Sequence, residues 1–241
     1  MSTELLILLE ITLTFTALLL VNKFLGKEGL IAWVALASVL ANILTVKSTF
    51  LSLGWAYTEG SILFASTFLA TDFLSERYGK KMASKAVTIG VFANIVLIVF
   101  TQYSLLYGST PWTADVADAF KSVFTISLRV TISSVVMYYL ANQADVLLYN
   151  LIKEKTNGKH MWLRNNVSTI LCNCVENFFF MFGAFLGVEG YSVANIIEMI
   201  LTTSAVEAVI GLLDTPFLYL GMRWIKGDDT PETEDPEEVF G

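Results

Sequence analysis

Two apolar stretches of this sequence carry acids and amides at the spacing that places side chains on one face of a helix. In "TFLATDFLSERYGKK", Asp72 and Glu76 are four residues apart, and in "LCNCVENFFFMF" Asn173 and Asn177 repeat that spacing with Glu176 beside them. Residues three and four apart are neighbours on a helix surface, so each stretch presents a polar stripe. Carboxylates accept hydrogen bonds, and amides both donate and accept them. Such a combination is suited to holding a small polar solute.

Ionisable residues inside apolar segments cost at least about 2.5 kcal/mol each near a bilayer centre, so their presence requires a reason. A third stripe pairs Asn142 with Asp145, and a fourth aligns Thr125, Arg129 and Ser133. For any single residue, a structural salt bridge or hydrogen bond between helices is an equal alternative to a role in binding. Acids outnumber bases in these segments, however, and an unpaired buried acid must be protonated or meet a cation. The pattern favours a pathway for a cationic or proton-coupled solute.

The elements that must position these stripes are membrane-spanning helices. The chain has 241 residues, of which 55% are hydrophobic and 15% are charged, whereas about 25% of the residues in soluble domains are charged. Its mean hydropathy is +0.63. A bilayer span needs roughly 20 mostly apolar residues. We predict an all-α fold, a polytopic helical membrane bundle of about seven helices near residues 4–24, 29–50, 58–77, 83–106, 122–150, 165–187 and 193–224.

Positive charge is distributed in a way that orients this bundle. Most lysines and arginines follow the first, third, fifth and seventh predicted helices, which all end on the same side of the membrane. Cytoplasmic loops carry the excess of these residues, so the N-terminus is predicted outside and the C-terminus in the cytoplasm. Residues 1–226 form the predicted integral membrane domain. Residues 227–241 are acidic and are predicted to be a disordered cytoplasmic tail.

The residue types present exclude several chemistries. Cys172 and Cys174 are two residues apart, so a helix points them about 200° apart and they cannot clamp a metal together. The single histidine, His160, lies in a basic loop, and no nucleotide-binding, hydrolase or zinc-protease motif appears. We therefore expect no enzyme activity, no metal site and no cofactor. The small-residue spacing of "GAFLG", Gly183 to Gly187, suits close helix contacts and leaves a homodimer open.

The polar motifs also follow one another as they do in a known family. Residues 41–86 and 129–187 resemble the queuosine precursor transporter family. The resemblance lies in an apolar helix that ends in Asp, Glu, Tyr-Gly and a basic run, an Asp near the end of a long helix, and a Lys-rich loop before Trp-Leu-Arg. The matching residues are Asn42, Lys47, Gly60, Asp72, Glu76, Tyr78, Gly79, Arg129, Asp145, Trp162, Leu163, Arg164, Ser168 and Thr169. Six predicted spans are similar to the family, and the first helix is an additional one.

The resemblance implies a carrier that imports 7-deazaguanine bases, namely queuine, preQ1 or preQ0, through a prokaryotic cell membrane by alternating access. The residues assigned to substrate binding are Asn42, Lys47, Asp72, Glu76, Asn173, Glu176 and Asn177. Among them, Asp72 and Glu176 are expected to read the base edge. Arg129 and Asp145 are expected to form a gating or structural pair. Trp162, Arg164 and Asn165 are assigned to a cytoplasmic loop.

The expected partners are a purine-like base and membrane lipid, and not nucleic acid. Two other transport functions stay open, a substrate-capture subunit of an energy-coupling ATPase complex and a carrier for another small heterocycle or vitamin. An intramembrane enzyme or a receptor is a further alternative. The absence of a nucleophile and base arrangement in the sequence disfavours the enzyme.

Overall fold

The computed structural model describes residues 2–125, 128–189 and 191–224, without the side chains of residues 56, 128–132 and 224. In these ranges the chain is a helical bundle with one short β-hairpin, which confirms the predicted all-α class. The elements are α1 (Thr3–Leu44), β1 (Ser48–Phe50), β2 (Ala56–Thr58), α2 (Ser61–Arg77), α3 (Gly79–Ser104), a 3-10 turn (Pro111–Thr113), α4 (Ala114–Phe124), α5 (Leu128–Lys155), α6 (Met161–Phe185) and α7 (Val193–Trp224).

Helix α1 consists of two arms that fold back on each other at Gly26. This residue has φ 55° and ψ −136°, which is outside the helical region and is accessible mainly to glycine. The Ser52 backbone N–H donates a hydrogen bond of 2.7 Å to Glu4 Oε1, so the start of α1 meets the loop that follows its end. A straight helix of this length would separate its ends by about 60 Å. The two arms correspond to the predicted helices 4–24 and 29–50.

Replacement of Gly26 by alanine is expected to destabilise this bend by about 1 to 3 kcal/mol, because alanine is strained in that backbone conformation. A Cβ at Gly26 would meet only the Tyr78 hydroxyl, at 3.5 Å, so the cost is conformational rather than steric. Gly108→Ala is the matched control, since a Cβ there meets open space. The midpoint of thermal unfolding of the purified protein measures the effect. Equal midpoints for the two variants would contradict it.

Seven helical segments of the described ranges form the bundle: the two arms of α1 together with α2, α3, α5, α6 and α7. By length and composition, α1, α3, α6 and the α7 segment Val193–Arg223 could each cross a membrane. Helix α2 is more polar, and it is buried along most of its length by contacts with α1, α3, α5, α6 and α7. An interior helix can carry polar groups that lipid would not tolerate.

Two predicted boundaries were wrong. The second predicted helix extends to residue 50, whereas α1 ends at Leu44 and β1 pairs with β2 in an antiparallel hairpin, Thr49 opposite Tyr57. The fifth predicted helix begins at residue 122, whereas α4 ends at Phe124 and α5 begins at Leu128. In both places the apolar character of the sequence continues past the helix end, so hydropathy alone does not show where the helix ends.

The hairpin is attached to the first arm of α1 through Tyr57. Its side chain is buried, and the hydroxyl donates a hydrogen bond of 3.3 Å to Glu10 Oε2. Burial raises the pKa of the Tyr57 phenol, so this group stays protonated and remains a donor. The two ends of α1 are therefore held beside β1 and β2.

Close helix contacts inside the chain use small residues. A Cβ at Gly183 of α6 would lie 3.0 Å from Ser133 Oγ of α5. Gly183 thus contributes to packing between α6 and α5, whereas Gly187 lies beyond the end of α6 and a Cβ there would meet open space. The homodimer that the "GAFLG" spacing left open stays a prediction.

The predicted cation-rich segments meet at one end of the bundle. Arg77 of α2 donates a hydrogen bond of 3.4 Å to Asn22 of α1, and Lys153 of α5 and Arg164 of α6 both contact Glu76. We call this the cationic end, and the end that contains β1 and β2 the hairpin end. The predicted tail, residues 227–241, lies outside the described residues.

Candidate functional site

A partly open cavity lies at the hairpin end, among α1, α2, α5, α6 and α7. Its volume is about 110 Å³, and it adjoins a second space of about 310 Å³ that extends toward α3 and α4. The residues that line both spaces are Asn42, Thr45, Thr58, Ser134, Phe180 and Met181. Small-molecule sites are concave, mostly apolar and equipped with a few polar groups, and these two adjoining spaces have that character.

The polar groups of the smaller cavity include an acid and amide set on α6 and α7. Glu176, Asn177 and Glu207 line it. Asn177 Nδ2 donates hydrogen bonds to Glu207 Oε2 at 2.7 Å and to Ser204 Oγ at 3.2 Å. None of the described lining residues is a lysine, an arginine or a histidine. Two carboxylates thus face a cavity whose described wall supplies no cation.

An amide cluster borders both spaces on the opposite side. Asn42 Nδ2 donates to Asn94 Oδ1, and Ser134 Oγ donates to Asn42 Oδ1 at 3.3 Å. The amide of Asn94 is held in turn by Ser38 Oγ and by the Gly90 carbonyl, at 3.0 and 2.9 Å. These contacts fix the orientation of the Asn42 side chain at the cavity wall. Because Asn42 Nδ2 also donates to the Ser38 carbonyl at 3.2 Å, both of its hydrogens are used, and the amide offers a ligand the acceptor Oδ1 in a fixed position.

Aromatic side chains complete the cavity wall. Phe64, Tyr138 and Phe180 line it, and the Phe64 and Tyr138 rings are 5.9 Å apart at their centroids. Faces of aromatic rings stack favourably on other planar rings. The cavity therefore combines carboxylates, amides and aromatic surface, which together suit a flat heterocycle with donors along its edge.

A second polar layer lies deeper in the bundle, between the cavity and the cationic end. It contains Asp72, Asn173, Asn142 and Asp145, all almost completely buried. Asn142 accepts a hydrogen bond of 3.4 Å from Thr67, and Asp145 accepts one of 3.4 Å from Thr169. Both carboxylate oxygens of Asp72 and both amide atoms of Asn173 have no hydrogen-bond partner.

The cationic end is closed by an ion-pair cluster around Glu76. Arg164 Nη2 and Lys153 Nζ lie 2.5 and 3.1 Å from its carboxylate, and the Tyr149 hydroxyl donates to it at 2.8 Å. Arg164 also donates to the backbone carbonyls of residues 158 and 159, which belong to the loop between α5 and α6. The cluster ties α2, α5 and α6 together where the cavity would have to open to the other side.

Comparisons with known proteins relate this chain to transporters. Residues 58–221 match the family described as "Putative vitamin uptake transporter". A relative from Bacillus subtilis (strain 168), named "Probable queuosine precursor transporter", is 30% identical over 217 residues, which cover 89% of this chain and 93% of the relative. The chain belongs to the queuosine precursor transporter family. No solved structure matches it. Membership indicates a multi-pass membrane transporter rather than an enzyme.

The transporter fold brings only part of the predicted binding set to the cavity. Asn42, Glu176 and Asn177 line it, whereas Asp72 and Asn173 lie in the deeper layer and Glu76 lies in the ion-pair cluster. Lys47 is at the base of the hairpin, where its exposed ammonium group pairs with Glu59 at 2.8 Å. Polar stripes show which residues share a helix face but not at which depth a cavity will form.

The residues assigned to a cytoplasmic loop lie in the first two turns of α6 in the transporter. Trp162 is half exposed. Arg164 and Asn165 are buried, and Asn165 donates a hydrogen bond of 2.8 Å to Asp214 of α7. Both therefore belong to the interior of the bundle and not to a solvated loop.

The predicted pair of Arg129 and Asp145 cannot be a direct contact in the transporter. Both positions belong to α5, about 24 Å apart along its axis, and the side chain of Arg129 lies outside the described residues. Thr169 is the hydrogen-bond donor that reaches Asp145. The contact that closes one end of the bundle is instead the ion pair of Glu76 and Arg164.

Glu207 is a cavity residue that the binding assignment missed. A signal for it exists in the sequence, because Thr203, Ser204 and Glu207 lie three and four residues apart on α7 and form a further polar stripe. The carboxylate of Glu207 is held by Asn177, which did belong to the predicted set.

Proposed function

We propose that this transporter imports queuosine precursors, the 7-deazaguanine bases queuine, preQ1 and preQ0, through a prokaryotic cell membrane by alternating access. The name of the Bacillus subtilis relative supports this substrate class. The observation that carries the proposal is the cavity at the hairpin end, in which Glu176 and Glu207 face Asn42 across aromatic surface.

The excess of cations at one end suggests how the transporter is oriented. Lysine and arginine collect on the cytoplasmic side of membrane proteins. With the cationic end inside, the N-terminus and the hairpin lie outside, and the C-terminus is cytoplasmic. The cavity then faces the exterior while the cluster around Glu76 closes the cytoplasmic side, which is the arrangement of an outward-facing carrier.

The edge of a 7-deazaguanine explains why carboxylates are useful there. The ring N–H and the exocyclic amine are donors that one carboxylate can accept side by side, and the ring carbonyl needs a donor such as an amide. Glu176 or Glu207 can supply the first function, and a hydroxyl of the cavity wall, such as that of Thr58 or Thr203, can supply the second. The amine arm of queuine or preQ1 is cationic and is favoured by the remaining acid. Asp72 and Asn173 lie too deep for this step.

Uptake of labelled preQ1 tests the proposal in cells that lack their own transporter and cannot synthesise queuosine precursors. Cells that express the chain should accumulate label, and cells with an empty vector should not. Unlabelled queuine and preQ0 should compete, whereas unlabelled adenine, with a different edge, should not. Failure to take up any of the three precursors would contradict the proposed function.

The purified chain in proteoliposomes separates this function from its alternatives. Exchange of labelled preQ1 by the chain alone is expected for an independent carrier. A substrate-capture subunit would bind preQ1 but would need its ATPase partners for transport. A carrier for another heterocycle would give no exchange with preQ1.

A further inference from the structure

Three aspartates on three helices meet in the layer between the cavity and the ion-pair cluster. Asp72 belongs to α2, Asp145 to α5 and Asp214 to α7, and each is at most 1% exposed. The carboxylate of Asp72 interacts electrostatically with those of both other aspartates. We call these three residues the aspartate layer.

The aspartate layer has more hydrogen-bond acceptors than donors. Thr169 donates to Asp145 Oδ1 at 3.4 Å, and Asn165 donates to Asp214 Oδ1 at 2.8 Å. The other oxygen of each of these two carboxylates has no partner, and neither oxygen of Asp72 has one. A buried carboxylate without partners is strongly unfavourable as an anion. A proton added to one of these groups supplies the missing donor, because a carboxylic acid donates through its O–H.

The charges around Asp72 do not balance the aspartate layer. Facing Asp72 are Glu76 from its own helix and Arg164 from α6, in addition to the two aspartates. Tyr149 of α5 also belongs to this electrostatic set. Helices α1 and α3 pack against α2 as well; α1 carries Lys23, Lys27 and Glu28, and α3 carries Lys80, Lys81 and Lys85.

The two cations of the cluster around Glu76 are already engaged. Arg164 is bound by Glu76 and by two backbone carbonyls, and Lys153 is bound by the same carboxylate. Since these two cations share one glutamate, they leave a single surplus positive charge for three aspartates. The remaining negative charge requires protons.

We propose that the aspartate layer, with Asp72 at its centre, is a proton-binding site that couples uptake of the base to proton entry. This inference rests on the proposed function. A proton enters from the hairpin end, binds a carboxylate oxygen to form a neutral acid, and leaves to the cytoplasm when the cluster around Glu76 opens. Asn173 lies one turn from Glu176 on α6 and is buried with both amide atoms free, so it lies between the cavity and this layer. The base and at least one proton then move inward together.

Proteoliposomes with the full-length chain and labelled preQ1 provide the test, with the membrane potential clamped by potassium and valinomycin. Exchange without a gradient is measured first, followed by net uptake driven by a pH difference, acidic outside, or by a sodium gradient. If one proton accompanies each base, a difference of one pH unit should give about tenfold accumulation. The sodium gradient should give none.

Asp72→Asn should remove the accumulation driven by the pH difference while exchange without a gradient continues, which also shows that the variant is folded. Asp214→Asn is a second variant for the same loss. Asp115→Asn, on the exposed face of α4, is the matched control and should accumulate preQ1 like the wild type. Accumulation that follows sodium instead of protons, or that survives in both Asp72→Asn and Asp214→Asn, would overturn the proposal.

A measurement that needs no substrate keeps the two proposals separate. Infrared spectra of the purified wild type should contain the C=O stretch of a protonated carboxylic acid, and Asp72→Asn should reduce that band. If the wild type shows the band but does not exchange preQ1, the proposed substrate is rejected and the proton site is kept. If the wild type exchanges preQ1 but shows neither accumulation driven by a pH difference nor the band, only the proton site is rejected.

Discussion

Glu76→Gln is expected to destabilise the transporter by about 3 to 5 kcal/mol, which is the usual cost of removing one partner of a buried ion pair. The substitution keeps the size of the side chain but removes the charge that faces Arg164, whose side chain is only 3% exposed. The guanidinium would then lose its ion pair and keep hydrogen bonds to two backbone carbonyls and the contact with the Tyr149 ring. The thermal unfolding midpoint of the purified protein should fall substantially.

Two further variants make this result specific. Glu59→Gln is the matched control, because Glu59 pairs with the exposed Lys47 and such pairs contribute about 0 to 1 kcal/mol. The double variant Glu76→Gln with Arg164→Met should be more stable than the sum of the single effects predicts, since it leaves no unpaired guanidinium. A midpoint for Glu76→Gln close to that of Glu59→Gln would show that the cluster does not hold the cationic end closed.

Hydropathy was sufficient to predict most of the fold. Apolar segments of span length must be helical in a bilayer, because every backbone polar group has to be satisfied within the segment. The gap between the first two predicted helices contains Gly26, where α1 does reverse direction. The strands Ser48–Phe50 and Ala56–Thr58 were missed because three residues are too few for an alternating pattern to emerge.

The site was only partly predictable for a different physical reason. Spacing along one helix identifies a polar face, and it placed Glu176 and Asn177 in one stripe with Asn173. Whether a face borders a cavity or a dry layer depends on the gap between neighbouring helices, which the sequence of one helix does not contain. Asp72 and Glu176 were therefore assigned to one ligand, although Glu176 lines the cavity and Asp72 is buried beneath it. Glu207 required knowledge of which helix faces Asn177.

Glu176→Gln and Glu207→Gln are each expected to reduce preQ1 uptake at low substrate concentration by about 10- to 100-fold. A hydrogen bond to a charged group contributes about 1.5 to 3 kcal/mol, and each 1.4 kcal/mol corresponds to a factor of ten in binding. Glutamine keeps the shape of the cavity but replaces one acceptor oxygen by a donor, which faces the donors of the base edge. Glu207→Gln additionally weakens the contact with Asn177, now 2.7 Å long.

Glu198→Gln on α7, the helix of Glu207, is the matched control, because Glu198 is exposed and does not line the cavity. Its initial rate of uptake should equal that of the wild type. The two cavity variants should lose exchange without a gradient as well as uptake driven by a pH difference, since the base no longer binds well in either assay. Asp72→Asn should lose only the uptake driven by a pH difference, so the two assays distinguish recognition of the base from coupling to protons. Wild-type exchange in both Glu176→Gln and Glu207→Gln would mean that the base binds elsewhere than in the cavity at the hairpin end.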